Sequence, residues 1–322
     1  MDSMAVKKKP SSSCTAVAPS STANLGPGYD VFGLALDARY DRVTITKRAG
    51  KDSNITIKMS DGAIPSVPES NSAGLVIKKM AQDFSITDDL DIVVKKGVPA
   101  GYGMGSSAAS AAAAAVAFDG LYKLKLDKNR LVEYAAEGEV ASAGTRHYDN
   151  VSASVLGGFI ISSVGQDGIR FIRIEPPKDL FMVVAVPAIP VPAKKTEVAR
   201  SVLPREVPLK SAVHNVSGAS TLVAGFALGD VEMIARGIDN DVIVEPARKH
   251  LIPGYDSVRK NAFAAGALAV TISGAGPSVI AFLKGKTKRK QVIKAMEAGF
   301  MEVGIKCQTF ACGPSKGARI VV

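Results

Sequence analysis

The chain has 322 residues, 47% of them hydrophobic, enough for two domains with substantial cores. Lys and Arg (40) exceed Asp and Glu (30), and the net charge of +10 suits an anionic ligand, either nucleotide phosphate or nucleic acid. Three cysteines without a CxxC pair, three histidines outside any metal-ligand spacing, and a longest apolar run of only Ala108–Phe118 argue against a disulfide framework, a zinc enzyme and a membrane span.

Residues 1–13 are polar and without periodicity, and are expected to form a disordered tail. No secretory apolar segment follows, so the expected location is cytoplasmic. The densest basic clusters, Lys7–Lys9 and Lys284–Lys290, read most simply as solvated surface. Recurrent β-branched residues predict strands at Cys14–Ala18, Arg42–Lys47, Ile55–Met59 and Leu90–Lys95. Helices are predicted over Ser70–Gln82, Ser107–Tyr122 and Lys128–Ala143, the second rich in alanine and able to lie close against a sheet. Strands at Ile169–Ile174 and Met182–Val186 bracket EPPKDL, where Pro176 and Pro177 break regular structure and suggest a domain boundary. The second half reads as helices at Ser211–Leu228, Asp230–Gly237 and Tyr255–Ala265, strands at Ala269–Ile272 and Val279–Leu283, a helix over Lys288–Gly299, and a closing strand-like ARIVV. The class is α+β in two halves.

Pro99–Ala109 reads PAGYGMGSSAA, after a predicted strand and directly before the alanine-rich helix. Gly101, Gly103 and Gly105 allow backbone geometries that a Cβ obstructs, and let amides approach a ligand. The helix start adds unpaired N–H groups and the positive end of its dipole. Together these make an anion site, most economically for nucleotide phosphates. A Walker A loop is excluded because no lysine occurs here, and the Rossmann form because Ser106 stands where its third glycine belongs. A plain tight turn capped by Ser106 or Ser107 remains the alternative.

PAGYGMGSSAA resembles the PxxxGLGSSAA signature of the GHMP kinases, with Met104 in place of leucine, a soft substitute of similar volume. Four more segments follow in that family's order. In Val17–Asp37, Asn24 and Asp30 flank Gly26-Pro27-Gly28; an amide and a carboxylate suit an amino-acid ammonium and a hydroxyl, although both residues could simply cap the turn. The segment is similar to the homoserine-kinase opening ANLGPGFD, with Tyr29 for Phe. Glu137–Gly158 contains HYDN and resembles that family's GxxHxDN segment. KKTEVARSVLP (Lys194–Pro204) and EPARKHLIPGY (Glu245–Tyr255) resemble TxxAR and EPxRxxLxPG, and TISGAGPSVI (Thr271–Ile280) resembles SGAGPT with Ser278 for threonine.

The resemblance to the homoserine kinases implies a two-domain GHMP-kinase-like fold. A mixed α/β nucleotide domain would cover 14–175 and a ferredoxin-like α+β domain 176–322, with the active site in the cleft between them and the last strand free to return to the first domain. It implies ATP on Pro99, Ala100, Gly101, Tyr102, Gly103, Met104, Gly105, Ser106, Ser107, Ala108 and Ala109. Ser107 and Glu139 match the Mg²⁺ ligands, a sparse set suited to an ion that keeps waters and phosphate oxygens. Asn24, Asp30, His147, Arg200 and Arg248 match the substrate site, the two arginines on the substrate carboxylate, for which a planar guanidinium is suited. Asn150, Thr196 and Arg200 match positions close to the reacting hydroxyl. The implied reaction is ATP-dependent phosphorylation of homoserine on the route to threonine, with the proton passing directly to the γ-phosphate rather than to a protein base.

Two other readings are weighed. Another GHMP kinase, acting on mevalonate, a sugar or shikimate, shares the glycine loop; mevalonate has no ammonium and would leave Asp30 without its partner. A basic nucleic-acid-binding module accounts for the charge, but the chain has no Trp, only 6% aromatic residues and no aromatic-interleaved basic stripe. The expected partner is thus a small molecule, with neither nucleic acid nor membrane; oligomeric state is open, a homodimer included.

Overall fold

The computed structural model describes residues 12–59, 65–144, 146–166, 168–192 and 195–321. Residues 1–11 of the expected tail, Lys7–Lys9 among them, lie outside these. Ser13 does not belong to a tail: it opens β1 (Ser13–Ala23) and pairs with Thr46, because backbone pairing along β2 (Phe32–Lys47) extends that far. The first half continues with β3 (Ile55–Met59), α1 (Ser72–Asp83), β4 (Leu90–Lys95), α2 (Ser106–Tyr122), α3 (Lys128–Ala143), α4 (Tyr148–Leu156), β5 (Phe159–Gly165) and β6 (Gly168–Ile174).

The second half runs through β7 (Leu180–Pro187), α5 (Lys195–Ser201), α6 (Leu209–Leu228), α7 (Val231–Ile238), α8 (Val244–Arg248), α9 (Tyr255–Ala264), β8 (Ala269–Ile272), β9 (Val279–Lys284), α10 (Arg289–Met301), β10 (Cys307–Cys312) and β11 (Arg319–Val321). β7, β8, β9 and β10 form an antiparallel sheet in the order β10-β7-β9-β8, with helices after its first and third strands. That is the ferredoxin-like arrangement. β11 leaves this sheet and pairs antiparallel with β1.

The larger sheet has seven strands, with the path β11-β1-β2-β4-β3 and a branch through β5 and β6. β2 is long enough to pair with β4 over Arg42–Lys47 and with β5 over Phe32–Leu34. α2 lies against β1 and β2 and is flanked by α1, α3 and α4. Alanine is the strongest helix former, and Ala111–Ala115 are fully buried, so neighbours can surround this helix closely on all sides.

One core cluster runs from this sheet into the second half, where Phe226 of α6 stacks on Phe159 of β5 with ring centroids 3.9 Å apart. A second cluster, including Val183, Val270, Met296 and Phe300, lies in the second half. Among the described residues no helix is long and apolar enough to cross a membrane.

Candidate active site

The glycine loop connects β4 to α2 and approaches the β8–β9 turn. Gly103 has φ +79°, and a Cβ there would lie 2.2 Å from the Ser273 carbonyl oxygen, so only glycine permits the approach. Gly105, at φ 66° and ψ 36°, is the N-cap of α2 and supplies no side-chain cap. Neither serine takes that capping role: Ser106 Oγ donates back to the Val98 carbonyl at 3.0 Å. The helix's first amides are therefore available to an anion, with the dipole behind them.

A cavity of about 400 Å³ opens over this loop. Its wall includes Ala100, Gly101, Gly103, Gly105, Ser106 and Ser107 of the expected phosphate loop. Of the other loop residues, Met104, Ala108 and Ala109 are fully buried in the core behind it, and Tyr102 Oη donates to the Ile189 carbonyl at 3.2 Å. Pro99 is not part of the wall.

Glu139 of α3 reaches the same cavity and is buried. Burial pushes its carboxyl up to about 7; a hydrogen bond with Ser107 and the charges of Lys195 and Lys96 oppose that, while Asp149 adds to it. A carboxylate so reluctant to ionise gains from a neighbouring cation, and a hydroxyl sits on it. This pair fits a hard divalent ion that keeps waters. Among the described residues no group of three or more His, Cys, Asp or Glu side chains is arranged to hold a metal ion by itself.

The remaining expected residues line the same cavity. Asn24 and Leu25 have positive φ (72° and 47°), a strained turn for non-glycine residues. It is held by Asn24, whose Nδ2 donates to the Gly274 carbonyl at 2.9 Å and whose Oδ1 accepts from the Asp30 amide at 3.1 Å. Arg200 Nη2 lies 2.8 Å from both Asp30 carboxylate oxygens. Arg248 is buried, and its Nε donates to the Ala199 carbonyl at 2.8 Å. Both guanidiniums stand over the Tyr29 ring, 5.4 and 5.0 Å from its centroid.

His147, the N-cap of α4, also lines the cavity; burial, then the Arg200 charge, lowers its pKa, with Asp30 opposing. Asn150 Oδ1 accepts from Ser21 Oγ at 2.9 Å, and Thr196 is half-buried on α5. All fourteen residues expected at metal, substrate or reacting positions or on the wall-forming part of the loop thus border one space.

Sequence reasoning missed several neighbours. Lys96 hydrogen-bonds Asp41, the Ser106 carbonyl (2.8 Å) and Ser110 (2.9 Å), tying β4 to the start of α2. Lys195 donates to the Gly276 carbonyl at 2.8 Å, and burial lowers its pKa to about 8, with Arg248 adding to the shift and Glu139 opposing it. Asn71, the N-cap of α1, lines the cavity with Ser70 and Ser72. Lys195 stands beside Thr196 within a recognisable motif, the one sequence signal that could have found it; Lys194 lies outside the described residues.

Comparisons with known proteins agree with this geometry. Residues 71–158 match the GHMP kinases N terminal domain and residues 222–301 the GHMP kinases C terminal domain. A homoserine kinase of Thermoplasma volcanium is 41% identical over 312 residues, covering 97% of this chain and 98% of the relative. One from Aeropyrum pernix is 39% identical, covering 94% and 96%. The crystal structure of homoserine kinase from Cytophaga hutchinsonii superposes with a TM-score of 0.90 at 33% identity, covering 98% of this chain and 99% of that one. An L. major mevalonate kinase, at 18% identity and a TM-score of 0.71, shares the fold. With relatives of this identity spanning almost the whole chain, and a glycine loop, paired arginines and Ser–Glu pair gathered round one cavity, the chain belongs to the homoserine kinases of the GHMP kinase family.

Proposed function

We propose that the protein transfers the terminal phosphoryl group of ATP to the side-chain hydroxyl of homoserine, giving O-phosphohomoserine for threonine synthesis in the cytoplasm. The observation that carries this reading is the polarity of a single cavity. Glycine-loop residues line it together with two arginines and one aspartate. The first set suits polyphosphate and the second a small zwitterion.

In this reading Arg200 and Arg248 take the substrate carboxylate, Asp30 and Asn24 the ammonium, and His147, Asn150 and Thr196 orient the hydroxyl. Ser107 and Glu139 would hold Mg²⁺, which supplies charge neutralisation to the phosphates when bound. Phosphoryl transfer asks mainly for positioning and electrostatic support. Nothing in that set needs a covalent intermediate on the protein.

ADP release measured with homoserine, threonine, serine, mevalonate and shikimate tests the assignment. Homoserine is expected to give the highest kcat/KM. Turnover of mevalonate alone would overturn it, since mevalonate offers no ammonium to Asp30.

A further inference from the structure

Lys195 is the first residue of α5, and its side chain is partly buried. Its Nζ donates to the Gly276 carbonyl at 2.8 Å. Gly276 belongs to the β8–β9 turn, which holds the glycine loop: Ser273 Oγ donates to the Gly103 carbonyl at 2.8 Å, and a Cβ on Gly103 would lie 2.9 Å from the Gly276 oxygen. One carbonyl therefore keeps the ammonium against the middle of the phosphate loop. Electrostatically it is coupled to Glu139 in one direction and to Arg248 in the other. It thus lies on the wall of the same cavity, within electrostatic reach of the carboxylate expected to hold the metal and of an arginine expected to hold the substrate.

Among the described residues two lysines line the cavity, and their situations differ. Lys96 is committed to Asp41, Ser106 and Ser110. Lys195 has the Gly276 carbonyl as its hydrogen-bond acceptor among the described residues, which leaves two ammonium hydrogens for a ligand. Arg200 and Arg248 are assigned to the substrate carboxylate, so they do not supply charge to the phosphoryl oxygens.

We propose that Lys195 is a further catalytic residue, whose ammonium contacts the phosphoryl group during transfer and offsets its charge; this rests on the kinase reading above. In that step the bond between the γ-phosphorus and the bridging oxygen breaks, its electron pair leaving with ADP. The substrate hydroxyl oxygen forms the new bond to phosphorus, and its proton passes to a phosphoryl oxygen. Lys195 stays protonated throughout. Its contribution is electrostatic and greatest where charge is in motion.

Steady-state kinetics on three variants with matched circular dichroism test this. Lys195→Met removes both charge and donor, and Lys195→Gln keeps a donor for Gly276 without the charge. Both are expected to lower kcat by about 10²–10³-fold, the usual loss for one such electrostatic contact, with KM for homoserine changed less than about 3-fold. Lys195→Arg keeps the charge and is expected to recover at least about 10-fold of the loss, short of wild type because a guanidinium is not an ammonium. A Gln variant close to wild type, or an Arg variant as slow as the Gln one, overturns the proposal and leaves Lys195 as a brace for Gly276. Should wild type reject homoserine and accept another alcohol of the panel, the same comparison is made on that alcohol, so the two readings fail separately.

Discussion

Asp149 stands at the start of α4, buried, with its Oδ1 accepting from the Asn150 amide at 2.7 Å. Burial pushes its carboxyl up to about 6; the Asn150 amide and the Arg200 charge restrain the shift, and Asp30 adds to it. An unfolded aspartate titrates near 4, so between about pH 4 and 6 the native state holds more protons than the unfolded chain. Stability therefore falls as pH rises through that window, by at most about 3 kcal/mol for a shift of this size. Asp149→Asn retains the acceptor for the Asn150 amide and removes the titration. Its melting temperature relative to wild type is expected to climb between pH 4 and 7 and then level off; a difference constant with pH would contradict this. If the proton of the substrate hydroxyl goes to phosphate, the same variant should keep kcat within about 10-fold, whereas loss of a general base takes about 10²–10⁴-fold. At this scale the legible residues were those inside recognisable segments, such as Asn24, Asp30 and Arg248. The roles of Lys96, outside any such segment, and of Tyr29 and Lys195, inside one, were not legible, because each matters through a contact distant in sequence: Lys195 through Gly276, Lys96 through Asp41, and Tyr29 through the two arginines.

Among the elements, the alanine-rich helix and the regular helices of the second half were readable because alanine content and apolar periodicity are local properties. β1 was expected to stop at Ala18, yet it runs to Ala23 through Pro19, where its register against β2 shifts. Proline is tolerated at such an irregularity, which sequence does not announce. α4, β5 and β10 went unread: Tyr148–Leu156 is a run of small residues, Phe159–Gly165 is paired on both sides by distant strands, and Cys307–Cys312 carries mixed polar residues. The glycine loop was read correctly as a loop before a helix, and its sharpest structural demand falls on Gly103. Alanine there must adopt φ near +79° and displace the Ser273 carbonyl from 2.2 Å. The left-handed backbone alone costs roughly 1–2 kcal/mol. Gly103→Ala is expected to raise KM for ATP by about 10-fold or more, since the loop moves away from the β8–β9 turn, while homoserine affinity measured by calorimetry without nucleotide changes little. Unaltered ATP kinetics would show that the loop's approach to that turn is dispensable.

For the molecule as a whole, Pro176 and Pro177 mark the passage from one sheet to the other, but the packing does not stop there. Leu222, Phe226, Ile234 and Ile238 from beyond the prolines share a core cluster with Leu34, Val151 and Phe159. The C-terminal segment returns as well: Ser315 exchanges backbone bonds with Ala35 and Gly158, and Ala318 donates to the Ser154 carbonyl before β11 joins β1. A chain whose C-terminal end and core both cross the boundary cannot unfold one half without exposing apolar surface of the other. Calorimetry is therefore expected to show one cooperative transition, with calorimetric and van't Hoff enthalpies in agreement. Phe226 tests the coupling, because its ring is 2% exposed and stacked on Phe159 across the boundary. Phe226→Ala is expected to destabilise the protein by about 3–5 kcal/mol, the range for a buried aromatic truncated to a methyl. The whole transition should move to lower temperature as one peak. Splitting into two peaks, with the first half's unfolding left where it was, would mean that the stacked rings touch without coupling the halves.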